Sequence, residues 1–180
     1  MFEITDQYHY DDGSEERKED TFMREPFILL LTSSKTAVGK IAVIGVHITP
    51  SAVEEELNEM VQVHMDVRNR WGSDVPVVIM GDFNAGGSYL SKRKLANLKL
   101  KTDDRYHWLI ENLDTTVGKN DFTYDRIIIC GEELVACVVP GTANVFNFEE
   151  KFALSKEEAQ RVSDHYPVEF VLGVVNKDEL

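Results

Sequence analysis

Apolar residues in this chain follow two periodicities. Unbroken runs at Phe27 to Thr32, Ile41 to His47 and Val77 to Met80, bounded by Pro26, Ser33-Ser34 and Pro76, have the length of buried strands. The turn-forming segment Ser33 to Lys40 joins the first two and predicts a hairpin. Between the second and third runs, Val53, Leu57, Met60, Val61, His64 and Val67 recur at helical spacing through Trp71. This predicts one long amphipathic helix, with Ser51 as N-cap and Glu54 completing a capping box. Further along, the basic stretch Leu90 to Leu98 predicts a short helix, and Trp108 to Glu111 a second short element. Arg126 to Cys130 and Leu134 to Val139 predict a hairpin turning at Gly131-Glu132-Glu133. Ser155 with Glu158 predicts a capped short helix, and Val168 to Val174 a closing strand. Residues 8–25 read as a charged loop. Strands with interspersed helices define an α/β or α+β sandwich, and no repeat, linker or low-complexity segment divides residues 1–180, so a single domain is expected.

Composition narrows the function classes. With 180 residues the chain can bury a substantial core. Its net charge of −13 argues against a generic basic nucleic-acid binder, because neutralising phosphates requires Lys and Arg. An acidic protein can still act on nucleic acid when divalent cations mask its site. No apolar run is long enough for a membrane span, and the acidic start, Met1-Phe2-Glu3-Ile4-Thr5-Asp6, lacks the basic and apolar regions of a signal peptide. Two cysteines, Cys130 and Cys137, form no disulfide framework and are expected to be buried, inert thiols. The C-terminal Lys177-Asp178-Glu179-Leu180 has two readings: an endoplasmic-reticulum retention address, or a solvated acidic tail.

The candidate chemistry lies at strand ends. His47 closes an apolar run, Asp82 and Asn84 follow the next one in Gly81-Asp82-Phe83-Asn84, and Asp125 opens another in Tyr124-Asp125-Arg126. Asp164-His165 precedes Tyr166-Pro167-Val168. Each has a structural alternative: a strand-end histidine, a turn, a cap. Together they offer carboxylate, amide and imidazole groups at strand mouths, where α/β proteins place active sites. A carboxylate beside a histidine raises the imidazole pKa into a useful range for proton transfer.

The order of these segments resembles the endonuclease/exonuclease/phosphatase superfamily and, within it, the deoxyribonuclease I family. The likeness continues through Tyr8 to Gly13, Arg24-Glu25-Pro26, Trp108-Leu109-Ile110, Asp114-Thr115-Thr116, Val138 to Gly141, Phe146-Asn147-Phe148 and Ser163 to Glu169. It covers essentially all 180 residues but only the C-terminal two-thirds or so of the family domain. The resemblance implies part of a four-layer α/β/β/α sandwich and a metal-dependent endonuclease acting on double-stranded DNA. It implies His47 and His165 as catalytic histidines, with Asp125 orienting His165. Asp82, Asn84 and Asp164 match the site of Mg2+ or Mn2+ and phosphate, and Arg24 and Tyr89 match residues near the DNA backbone. Asp12, Asp20, Phe22 and Glu25 match one structural Ca2+ loop. Asp114 and Thr116 match part of a second, whose later positions here are Gly118 and Asn120. A monomer is expected, and actin is a partner of some members.

The departures are informative. Ser14, Arg17, Gly87 and Phe122 stand where the resemblance implies disulfide cysteines. The chain is expected to be incomplete at its N-terminus, lacking a carboxylate partner for His47 and a second metal carboxylate, and so to be poorly soluble and inactive or only weakly active by itself. Another superfamily phosphodiesterase or phosphatase, or a non-catalytic metal- or protein-binding fragment, are the alternatives.

Overall fold

The computed structural model describes residues 2–13, 20–119 and 121–174. The expectations attached to Ser14, Arg17, Asn120 and the C-terminal tetrapeptide lie outside these residues. Six strands form one mixed sheet in the order β1-β2-β3-β4-β6-β5: β1 (Glu3–His9), β2 (Phe27–Thr32), β3 (Lys40–His47), β4 (Val77–Asp82), β5 (Tyr106–Trp108) and β6 (Asp125–Cys130). The predicted hairpin is β2–β3, antiparallel with Phe27 opposite Gly45. Helix α1 (Val53–Trp71) then crosses over and returns the chain to β4, which pairs in parallel with β3. β6 closes on β4 antiparallel.

The central strands are apolar at nearly every position because both faces of the sheet are covered. On one face, Ile28, Ile44, Val77, Ile79 and Ile128 pack against Leu57, Met60, Val63 and Val67 of α1, all fully buried. At about 1.5–3 kcal/mol for each fully buried aliphatic side chain, this interface is the main stabilising contact of the fold. On the other face, Ile41, Val78, Ile127 and Ile129 pack under Leu134 and the C-terminal segment carrying Phe170 and Leu172. Val43 and Met80 on that face are only half-buried, and Phe2, Leu31, Val43, Met80 and Val171 help to line an apolar hollow of about 400 Å³.

Several local expectations are corrected. The segment predicted as a charged loop contributes Tyr8 and His9 to β1. This is an edge strand, so most of its residues stay in solvent and its alternation is hidden among polar residues. Tyr8 and Asp6 nonetheless anchor it: Tyr8 Oη donates to Asp66 at 2.6 Å and Trp71 Nε1 donates to Asp6 at 3.0 Å. The predicted cysteine hairpin is instead a strand followed by helix α4 (Glu132–Cys137), with two acidic residues in its first turn and Leu134 buried beneath it. Gly131, at φ +119°, breaks the strand. Cys130 and Cys137 are free and half-buried rather than buried, and burial raises the Cys130 thiol pKa, which keeps it protonated and unreactive. Helix α1 is capped by Ala52, one residue later than expected, without a side-chain bond. The basic stretch forms α2 (Lys92–Asn97), capped by Ser91 and followed by α3 (Lys99–Thr102), while Trp108 ends a strand. A two-stranded sheet of β7 (Asn144–Val145) and β8 (Val168–Glu169), helix α5 (Phe148–Lys151) and helix α6 (Lys156–Val162) complete the fold. α6 carries the expected Ser155–Glu158 capping box. Beyond β8 the predicted closing strand survives only as isolated bridges at Leu172 and Val174. Among the described residues no helix is long and apolar enough to cross a membrane.

Candidate active site

Strand register assembles the site. His47 ends β3 and pairs with Asp82, which ends β4; Asp82 in turn pairs with Asp125, which opens β6. One histidine and two carboxylates therefore lie in a row across three neighbouring strands. Gly81 permits this row. Its φ is +139°, and a Cβ there would lie 2.0 Å from the Val46 carbonyl oxygen, so only glycine allows β3 and β4 to approach so closely just before the site. Asn84 follows in the left-handed region at φ +48°, which asparagine tolerates. It is buried, and its Nδ2 donates to Ile48 O at 2.8 Å and to Asp82 Oδ2 at 3.1 Å, while its backbone N donates to Asp82 Oδ1 at 2.9 Å. Both oxygens of Asp82 are thereby oriented.

His165 reaches the row from the other end of the chain. Its Nδ1 lies 2.7 Å from Asp125 Oδ2, and its ring stacks on Tyr124 with centroids 6.2 Å apart. Burial by itself lowers the His165 pKa. The hydrogen bond and charge of Asp125, with the charges of Asp82 and Asp164, outweigh it, and the net shift is upward. Burial raises the Asp125 pKa, opposed by hydrogen bonds from Thr115 and His165. His47 is held less firmly: its Nε2 is 3.6 Å from Asp82 Oδ2, its side chain is 56% exposed, and its Nδ1 has no partner among the described residues.

Asp82, Asp125 and His165 each place a ligand atom within 4.8 Å of the others, and all three are half-buried. Two carboxylates with an imidazole nitrogen form a donor set suited to a hard divalent cation. Among the described residues this is the one group of three or more His, Cys, Asp or Glu so arranged. The Asp164 side chain is exposed and outside the group, and Asn84 turns its amide nitrogen toward Asp82. Arg24 is exposed; Tyr89 is also exposed and packs on Tyr124 at 5.5 Å. In the first candidate calcium loop, Asp12 Oδ2 accepts from the backbone of Thr21 and Phe22 at 2.7 and 2.8 Å. Phe22 is buried, Asp20 half-buried and Glu25 exposed. In the second, Asp114 Oδ1 accepts from Thr116 N and Oγ1 and from Phe122 N. Thr116 also bridges His165, so this loop abuts the site.

Four supporting residues were not read from the sequence. Thr115, fully buried, accepts on Oγ1 from the backbone of Tyr124 and Asp125, each at 3.0 Å, and so fixes the start of β6. Arg126 donates to the carbonyls of Ala85, Ile110 and Glu111; burial pushes its pKa down to about 10, leaving it charged at neutral pH. Glu56, fully buried in α1, accepts from Thr49 N at 2.9 Å, two residues beyond His47, and from Met23 N at 3.5 Å. Tyr124 is stacked by Phe122 at 5.1 Å. Gly87 lies against both rings: a Cβ there would be 2.7 Å from Tyr124 Oη and 3.0 Å from the Phe122 ring. Gly87 and Phe122, where the resemblance implied cysteines, are thus in contact without a crosslink. A buried threonine, glutamate or arginine leaves no periodic signal; only the Tyr124-Asp125-Arg126 triplet hinted at this role.

The mixed sheet and its crossover helix have the fold of the endonuclease/exonuclease/phosphatase class. A protein of that description from Bacteroides vulgatus superposes with a TM-score of 0.56 at 14% identity, over 95% of this chain and 66% of its own. No family model matches. Sequence relatives are more specific: mouse deoxyribonuclease gamma is 43% identical over 174 residues, and rat deoxyribonuclease-1 is 40% identical over 170. Along nearly all of its length the chain is thus similar to deoxyribonucleases gamma and 1. The alignments cover 96% and 94% of this chain but 56% and 60% of those relatives, so the chain spans a little over half their length.

Proposed function

We propose that this chain carries catalytic residues of a divalent-metal-dependent endonuclease that hydrolyses DNA phosphodiester bonds. The observation that carries the reading is the convergence of His47, Asp82, Asp125 and His165 at adjoining strand ends in a chain about 40% identical to deoxyribonucleases. Phosphodiester hydrolysis requires deprotonation of water on one side of the phosphorus and protonation of the leaving oxygen on the other. His165, with Nδ1 engaged by Asp125, presents Nε2 for one transfer, and its raised pKa keeps it protonated further toward neutral pH. His47, across Asp82, is placed for the other.

Asp82 is the ligand shared by the family-implied set of Asp82, Asn84 and Asp164 and by the cluster of Asp82, Asp125 and His165. When bound there, Mg2+ or Mn2+ supplies charge neutralisation at the phosphoryl oxygens. Ca2+ is proposed as a structural ion at Asp12, Asp20, Phe22 and Glu25 and at Asp114 and Thr116; in both loops a carboxylate already gathers backbone N–H groups, and the cation would occupy the remaining oxygens. Arg24 and Tyr89 are proposed to contact the DNA backbone. A monomer and actin binding follow from the resemblance, and sedimentation with and without monomeric actin tests both.

The decisive experiment is plasmid nicking in Mg2+ and Ca2+. Removing one general acid or base costs about 10²–10⁴ in rate, so His165→Ala is expected to lower nicking by that factor, and chelation to abolish it. Nicking that persists in both cases would overturn the proposal.

A further inference from the structure

The basic residues of the chain are unevenly placed. From Phe83 to Thr102 the chain has five of its nineteen Lys and Arg residues and none of its thirty-two Asp and Glu. This acid-free stretch begins immediately after Asp82 and runs through α2 and α3. Two of its cations have intramolecular work. Lys94 pairs with Glu54 at 2.7 Å, and Lys101 pairs with Glu111 and lies 4.2 Å over the Trp108 ring. Lys92, Arg93 and Lys99 are exposed and form no ion pair among the described residues. In a chain of net charge −13, three exposed uncompensated cations along one short segment are not explained by folding.

Their position relative to the site is fixed by contacts. His165 stacks on Tyr124 at 6.2 Å, and Tyr124 meets the exposed Tyr89 at 5.5 Å. Leu90 is buried, Ser91 caps α2 through Lys94 N, and Lys92 and Arg93 form its first turn. Two ring contacts and two residues thus lead from the histidine to Lys92 and Arg93; Lys99 follows at the start of α3, where its backbone N donates to Asn58 Oδ1 at 3.3 Å.

We infer that α2 and the start of α3 form a phosphate-backbone exosite, in which Lys92, Arg93 and Lys99 hold a nucleic-acid strand beyond the bond being cut. This rests on the nuclease reading above and deepens it, because it selects a polymer over a small phosphate ester. Duplex DNA carries one charge per about 1.7 Å of axis, so a strand engaged at His165 presents further phosphates over the distance to α2. A sugar or lipid phosphate has nothing to place there. The overall negative charge does not oppose this contact, since at physiological salt charges beyond a Debye length of about 8 Å are largely screened, while the ridge meets the strand directly.

The test is binding of a 30-base-pair DNA duplex as a function of salt, measured by fluorescence anisotropy in Ca2+, for the unaltered protein and for K92Q/R93Q/K99Q. Removing one phosphate-binding cation should reduce the slope of log affinity against log salt by about one, so a fall of about three is expected. A K35Q/K40Q control neutralises exposed lysines at the end of β3 remote from His47 and should leave the slope unchanged. Hydrolysis of bis(p-nitrophenyl) phosphate should be the same in the unaltered protein and the triple variant. An unchanged DNA slope in the triple variant, or an equal fall in the control, overturns the exosite. A triple variant that loses binding to phosphatidylserine vesicles but not to DNA assigns the ridge to a membrane surface and also overturns it. Absence of metal-dependent hydrolysis of either substrate would overturn the nuclease reading, while the binding slope reports on the ridge independently.

Discussion

The two histidines of the site are held in opposite ways. His165 is half-buried, bonded to Asp125 at 2.7 Å and stacked on Tyr124, which Phe122 and Gly87 hold in turn. His47 is placed by backbone register alone: β3 pairs with β4, Ile48 N donates to Asp82 O at 2.8 Å, Asn84 holds Ile48 O, and Glu56 holds Thr49 N. Its imidazole is exposed and 3.6 Å from the nearest carboxylate. A side-chain clasp fixes both ring orientation and protonation. A backbone clasp fixes only where the side chain begins, and leaves the tautomer to whatever else approaches.

Breaking the backbone clasp should have the largest effect. Gly81→Ala combines a positive φ with a steric overlap against Val46 O, and a loss of about 3–5 kcal/mol is expected in urea unfolding. A loss below about 1 kcal/mol, the ordinary range of a surface substitution, would show that the strands can separate without cost, and that register does not hold His47.

Removing charge from the side-chain clasp is the second way to sharpen the contrast. Asp125→Asn keeps an acceptor for His165 Nδ1–H but removes the negative charge, so the His165 titration midpoint should move down in an NMR pH series. The sign for stability follows from linkage. A histidine whose folded pKa lies above its ordinary value of 6.5 stabilises the fold fully below that pH, and this contribution is lost as pH rises through the folded pKa. The melting temperature of the unaltered protein should therefore fall over that window more than that of Asp125→Asn. Parallel profiles would show that the pair does not favour the imidazolium.

The smallest effect is expected at Glu56. Glu56→Gln keeps one acceptor but turns an amide N–H₂ toward one of the two backbone donors, a cost of about 1 kcal/mol. Its signature should be local: faster hydrogen exchange at the Thr49 or Met23 amide and a shifted His47 resonance, with His165 unchanged. An equal shift at His165 would make Glu56 a general stability residue rather than one that positions the β3 end.

Much of the architecture was legible because burial imposes periodicity. β2, β3, β4 and α1 were readable because each packs a repeating apolar face. β1 was hidden by its place at the sheet edge, where solvent-facing residues dilute the pattern. α4 was hidden because its apolar part, Leu134-Val135-Ala136-Cys137, is too short to separate a helical from a strand period. The chemistry-bearing residues were visible as strand-end clusters. Thr115, Glu56 and Arg126 were not, because a buried polar residue differs from a surface one only in its partners.

The sequence by itself therefore determined the runs of β2, β3, β4, β6 and α1, the capped α6, the order of His47, Asp82, Asp125 and His165, and the likeness to deoxyribonucleases. These depend on the identity and spacing of neighbouring residues, which the chain states directly. Only the tertiary structure decided that His47 faces Asp82, that Phe122 and Gly87 brace Tyr124 behind His165, and that exposed cations of α2 flank the site. Those relations arise from pairing and packing between segments far apart along the chain, and no local rule encodes them.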